Sequence, residues 1–134
     1  RQFFSGMDLI VSPNLPRVLH PGNFDGFPTG CCVEAALCGV AVMATDALQQ
    51  NPGYIDSESI YLLPTEPHGI AQDIETRVRA LCQDPAALTA LALAGQAFTQ
   101  QHYAPDRQIG ERQNILRSVA ARLGLSTQGR AAHD

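Results

Sequence analysis

Lysine is absent from this sequence, and residues of either charge make up only 16% of its 134 positions. Every cation other than histidine is therefore an arginine. With a net charge of -4 the chain offers no basic surface to a phosphate backbone, which argues against nucleic acid as a partner. Also missing is any apolar run near the ~18 residues of a membrane span, and no secretory signal pattern is present. The expected setting is the cytoplasm. The cysteines, Cys31, Cys32, Cys38 and Cys82, contain no C-x-x-C spacing, so they are expected to be free core thiols and not a metal site. No Ser-His-Asp or Cys-His arrangement can be assembled, and His68, His102 and His133 stand outside any constellation.

What is present is the alternation of strand and helix signals that a parallel α/β sheet requires. Apolar runs place strands near 8–12, 40–45 and 60–63, too few for a whole sheet. Ile70, Ile74, Val78 and Leu81 share one face of a helix over about 69–83, which leaves Asp73 and Glu75 as solvated acids. Asp84-Pro85 reads as an N-cap with proline at the first helical position, opening a second helix with Leu88, Leu91, Gly95 and Phe98 inward. Asp106 reads as the cap of a third, in which Ile109, Leu116, Val119 and Leu123 share a face. After Leu125 the composition turns to Ser, Thr, Gln, Gly and Ala. The expected organisation is one partial domain over 1–124 and a disordered tail over 125–134.

The most informative segment is Asp25-Gly26-Phe27-Pro28-Thr29-Gly30-Cys31-Cys32-Val33-Glu34-Ala35, a glycine-bearing turn running into an apolar helix that carries one carboxylate. Apart from Glu34, every side chain from Gly30 to Thr45 is apolar or small, so the pattern reads as a buried helix followed by a buried strand. A carboxylate in such surroundings needs a compensating charge or hydrogen bonds, and Glu34 is expected to meet a ligand. The alternative is a structural acid in the second helical turn, with Thr29 as N-cap. The turn ahead of the helix presents free backbone N–H groups, where a phosphate or a sugar hydroxyl would bind.

This run resembles the signature of the retaining GT-B glycosyltransferases of the group 1 kind. In that family an acid, Gly, Phe and often Pro lead to a glutamate at the start of an apolar helix, then Ala, and a Cys-Gly before a strand. Here the matching positions are Asp25, Gly26, Phe27, Pro28, Glu34, Ala35, Cys38 and Gly39, followed by Val40-Ala41-Val42-Met43-Ala44-Thr45-Asp46. Asp8-Leu9-Ile10-Val11-Ser12-Pro13 and Ile60-Tyr61-Leu62-Leu63-Pro64 are similar to the strands on either side, so the likeness covers roughly 5–123. It implies an α/β fold: part of a Rossmann-like parallel sheet with flanking helices, from the C-terminal, donor-binding domain of a GT-B enzyme, ending in C-terminal helices.

The function implied is transfer of a sugar from a nucleoside diphosphate sugar to an acceptor with retention, as in polysaccharide biosynthesis, with no cofactor and no metal. By resemblance Glu34 would take the donor ribose hydroxyls, and Asp25 would bind or orient the donor sugar. Gly26, Phe27, Pro28, Thr29 and Gly30 would line the donor, with the N–H groups of Phe27, Thr29 and Gly30 toward sugar and pyrophosphate. Arg17, His20 and Asn23, in the loop before the turn, are candidate contacts to donor phosphate or acceptor. The chain departs from the family in carrying Asp at position 25, where Glu is usual. Its turn is one residue longer, so that eight residues separate Asp25 from Glu34. Ala47-Leu48-Gln49-Gln50-Asn51 stands where the family often has a Gly pair and a Glu, and no role is carried over to it.

A complete GT-B enzyme needs two domains, so a chain of this length, opening on Arg1 without an initiator Met, is expected to be about a third of one and inactive alone. The acceptor domain would lie upstream, together with the Arg and Lys that neutralise the donor pyrophosphate. The intact enzyme would be cytoplasmic, or peripheral to the inner face of the membrane. Two other readings stay open. One is a non-catalytic Rossmann-like interaction module that self-associates through an exposed sheet edge. The other is a sugar-nucleotide epimerase or phosphorylase on the same fold.

Overall fold

The computed structural model describes residues 2–18, 20–22 and 25–125. A 3-10 turn over Phe4–Gly6 leads into β1 (Leu9–Ser12), α1 (Gly30–Leu37), β2 (Ala41–Thr45) and β3 (Tyr61–Leu63), then α2 (Pro67–Gln83), α3 (Pro85–His102) and α4 (Pro105–Arg122). The fold is α/β, a three-stranded parallel sheet ordered β1-β2-β3 with flanking helices, ending in helices. The strands fall on the three apolar runs. Central β2 is buried along its whole length, and a parallel strand covered on both faces has no place for a charge. Helix α2 begins earlier than its periodicity predicts, because Pro67 brings a helical φ and gives up no hydrogen bond at a first position.

The chain divides into two compact units, Arg1–Gln100 and Gln101–Asp134. In the first, alternate residues of β2 serve opposite faces. Val42 and Ala44 meet Cys32 and Ala36 of α1 together with Tyr54 and Ile60, while Ala41 meets Leu91 and Ala92 of α3. Asp84 caps α3 as expected, its Oδ1 accepting the Ala87 N–H at 3.0 Å. Leu91 and Gly95 face inward as predicted. Gly95 comes so close to the 54–60 segment that a Cβ on it would stand 2.6 Å from the Ser59 carbonyl oxygen. One turn on, the buried Thr99 hydroxyl donates to the Gly95 carbonyl (2.6 Å) and so accepts from the Tyr54 hydroxyl (2.8 Å).

The outer side of β3 carries its own cover. The Leu62 N–H donates to Asp56 Oδ1 at 2.8 Å. Arg77 of α2 stands 3.1 Å from the same oxygen and 2.9 Å from Asp73, with its guanidinium carbon 4.6 Å from the centroid of the Tyr61 ring. Asp73 is thus half-buried and ion-paired, not a plain solvated acid, because Arg77 follows it by one helical turn. Exposed Glu75 pairs with Arg79 in the same spacing.

In the second unit Pro105 takes the first helical position behind Ala104, which places Asp106 inside the first turn of α4 and not at its cap. Ile109, Leu116, Val119 and Leu123 are 44–68% exposed. Periodicity says which residues share a face and not what covers it. No helix among the described residues is long and apolar enough to cross a membrane. Residues 126–134 of the tail expected to be disordered, and His133 among them, lie outside the described residues.

Candidate functional site

In a parallel sheet, ligands gather at the carboxyl ends of the strands, where helix N-termini arrive. Here β1 ends at Ser12, β2 ends at Thr45, and both side chains are buried. Asn14 ties the two ends together: its Nδ2 donates to Ser12 Oγ at 3.2 Å, and its carbonyl accepts from Thr45 Oγ1. Thr29 occupies the N-cap position of α1, but its hydroxyl makes no capping bond. It donates to Cys32 Sγ (3.2 Å), lies 3.1 Å from Cys31 Sγ and reaches Ser12 Oγ at 3.5 Å.

Between these ends and the turn runs a cleft lined in part by Ser12, Asn14, Asp25, Gly26, Thr29 and Thr45. Its free volume is 10 Å³, room for about one water. Asp25 and Gly26 are exposed at its lip, whereas Phe27, Pro28 and Thr29 are half-buried. The turn is clasped from across the sheet. Gln50 Oε1 accepts the Phe27 N–H at 3.4 Å, and the Asp46 carboxylate holds that loop by accepting from Gln50 N (2.7 Å) and Asn51 N (3.0 Å). The Phe27 N–H is therefore engaged within the protein, contrary to the expectation that it is free for a donor.

Glu34 departs further from expectation. It is exposed, not stranded among apolar groups, since α1 buries Cys32, Ala35 and Ala36 on the opposite face. The apolar run misled because Leu37, apolar by type, is itself exposed. Glu34 lines an open cavity of 240 Å³ together with Phe4, Leu37 and Cys38. The cleft and the cavity are separate, with Asp25 on the first and Glu34 on the second. Arg17, exposed with φ of 65°, lines neither. Nor does exposed His20, whose Nδ1 accepts the Gly22 N–H at 3.2 Å. Asn23 lies outside the described residues.

The expectation of core thiols holds for Cys32 alone. Cys31 and Cys82 are exposed and Cys38 is half-buried, because the short α1 turns only one face inward and Cys82 sits on the outer side of α2. Burial pushes the Cys32 thiol above its ordinary pKa, against the lowering effect of hydrogen bonds from Thr29 and Ser12. At pH 8, N-ethylmaleimide is expected to modify Cys31 and Cys82 at least ~10-fold faster than Cys32, since only the accessible thiolate reacts. Peptide mass spectrometry over a time course reads the rates, and equal rates at Cys31 and Cys32 would contradict this burial.

Sequence reasoning missed Gln50, Asp46 and Phe4. An acid followed by amides after a strand signals a side-chain-closed turn, so Asp46 was open to discovery. Nothing local links Gln50 to Phe27 or Phe4 to Glu34. No group of three or more His, Cys, Asp or Glu among the described residues could hold a metal ion.

Comparison with models of known families, with curated proteins and with solved structures found no match.

Proposed function

We propose that this chain is the donor-binding part of a retaining sugar transferase, a Rossmann-like portion of a GT-B fold that takes its sugar from a nucleoside diphosphate donor. The observation that carries the reading is the position of the Asp25–Glu34 motif. Its turn lies at the carboxyl ends of β1 and β2, where α1 begins, and Glu34 is exposed one helical turn further along α1. Glu34 accepts from the donor ribose hydroxyls. Asp25, at the lip of the cleft, orients the sugar, and the N–H groups at the start of α1 meet the pyrophosphate. Stabilisation of the departing diphosphate drives the leaving step, with basic side chains from outside this chain completing the charge balance. The setting is cytoplasmic or at the inner membrane face.

Thermal shift of the protein against millimolar UDP-, GDP-, ADP- and dTDP-sugars tests the reading. A ligand at a hundred times its Kd stabilises by about 2.7 kcal/mol, so a cognate donor is expected to raise Tm by several degrees. No shift with any of them overturns the assignment. Donor breakdown without an acceptor would point to an epimerase or phosphorylase. The exposed apolar stripe of α4 favours a second reading, an interaction module. That reading gains if the protein associates and binds no sugar nucleotide.

A further inference from the structure

We infer that Asp25 is a site of spontaneous covalent modification, at which the Gly26 backbone nitrogen attacks the Asp25 carboxyl and the chain re-forms through an isoaspartyl linkage. The reaction requires no ligand and lies outside the sugar-nucleotide reading above. Asp25-Gly26 is the one step in the sequence at which an aspartate or asparagine precedes a glycine. Both residues are exposed, and they lie between β1 and α1, outside any helix or strand. Among the described residues nothing hydrogen-bonds the Asp25 carboxylate or the Gly26 N–H, so neither group is held away from the other. Without a Cβ, Gly26 lets the peptide rotate and leaves its nitrogen unshielded. Other aspartates are protected. The Asp46 carboxylate accepts from the backbone N–H groups of Gln50 and Asn51, and Asp56 is held by the Leu62 N–H and Arg77. Asp84 is followed by a proline, which has no N–H to attack with.

The step balances without a co-reactant other than water. The Gly26 nitrogen forms a bond to Asp25 Cγ, while its proton and the hydroxyl of the neutral carboxyl leave as one water, closing a five-membered succinimide. Water then adds to either ring carbonyl. Cleavage at Cγ restores aspartate. Cleavage at the Asp25 backbone carbonyl leaves the main chain running through Cβ and Cγ, with a carboxylate directly on Cα. Glutamate would have to close a six-membered ring, a slower reaction, so Asp at position 25 opens a route that the Glu usual in the family it resembles does not. The product lengthens the backbone by one atom next to Phe27, whose N–H is clasped by Gln50, and draws the acid back by one methylene at the lip of the cleft.

The test ages the folded full chain in warm neutral buffer for several weeks. An isoaspartyl methyltransferase with labelled S-adenosylmethionine reads the product, and peptide mass spectrometry finds the succinimide as a species one water lighter. Label is expected to accumulate in the Asp25 peptide and not in those of Asp46 and Asp56. Asp25→Glu is expected to abolish it, and Gly26→Ala to slow it severalfold, because a side chain hinders the approach of the nitrogen. The fold is expected to survive Gly26→Ala, since the new Cβ would meet Gln50 Oε1 at 3.8 Å, an ordinary contact. In urea Asp56 is expected to gain label as well, its bonds to Leu62 and Arg77 being lost. If the folded chain labels Asp25 no faster than Asp46 and Asp56, or if Asp25→Glu labels in that peptide as wild type does, the inference is overturned. Either result leaves the sugar-nucleotide reading where it stood, because no ligand enters the experiment.

Discussion

Replacing Gly95 with alanine is expected to destabilise the first unit by about 2 kcal/mol, although alanine is the better helix former. The added Cβ would stand 2.6 Å from the carbonyl oxygen of Ser59. That oxygen belongs to the backbone, so no change of rotamer relieves the contact, and either α3 or the 54–60 segment has to move. Overpacking of this kind destabilises by about 1–3 kcal/mol, and more where backbone shifts, whereas helix propensity offsets about 1 kcal/mol of it. Displacing α3 also strains the buried chain of hydroxyls from Tyr54 through Thr99 to the Gly95 carbonyl, whose loss leaves polar groups unsatisfied. Urea unfolding measures the effect. Gly110→Ala on α4 serves as the control: its Cβ would meet nothing within 4 Å, and a stabilisation of up to about 1 kcal/mol is expected. Matching midpoints for the two variants would remove the close approach as a constraint.

Glu34→Ala is expected to weaken donor binding about 100-fold and to leave unfolding within about 0.5 kcal/mol of wild type. Hydrogen bonds to a charged group contribute about 1.5–3 kcal/mol each, and at an exposed carboxylate the low end applies, so two ribose hydroxyls amount to about 3 kcal/mol, on the order of 100-fold. The exposure of Glu34 makes the second half of the expectation as informative as the first. A structural acid on α1 would change stability and not binding, and a ligand contact would do the reverse. Calorimetry with the cognate sugar nucleotide and a parallel melt of both proteins separate the two. An unchanged Kd would sink the assignment of Glu34 to the donor ribose.

Elements whose signals are local were legible in the sequence. The Asp84-Pro85 pair announced α3, and the uncharged run through β2 announced a strand covered on both sides. The start of α1 was placed correctly at Thr29, yet for a reason the structure does not share, since the Thr29 hydroxyl is spent on thiols. What escaped was whatever depends on facing. In a run of Ala, Cys, Val and Leu nothing marks the buried side of a short helix, so the pattern predicts an enclosed Glu34 where the side chain is exposed. On α4 the periodicity predicts the shared stripe of Ile109, Leu116, Val119 and Leu123 but not its exposure. Contacts between distant segments were invisible for a related reason: Gln50 reaches Phe27 only because β1 and β2 lie side by side.

The guard on β3 gives the sheet a single growing end. Asp56 already occupies the Leu62 N–H, and Arg77 spans Asp56 and the Tyr61 ring, so a strand added on that side would have to displace an ion pair before forming its first rung. Any strand that widens the sheet, from this chain or another, is expected to dock beside β1. Growth in that one direction would carry the ends of β1 and β2 from the margin toward the middle of the enlarged sheet. The turn at Asp25 would then sit at its centre, flanked by new strand ends on the side where the described residues have none.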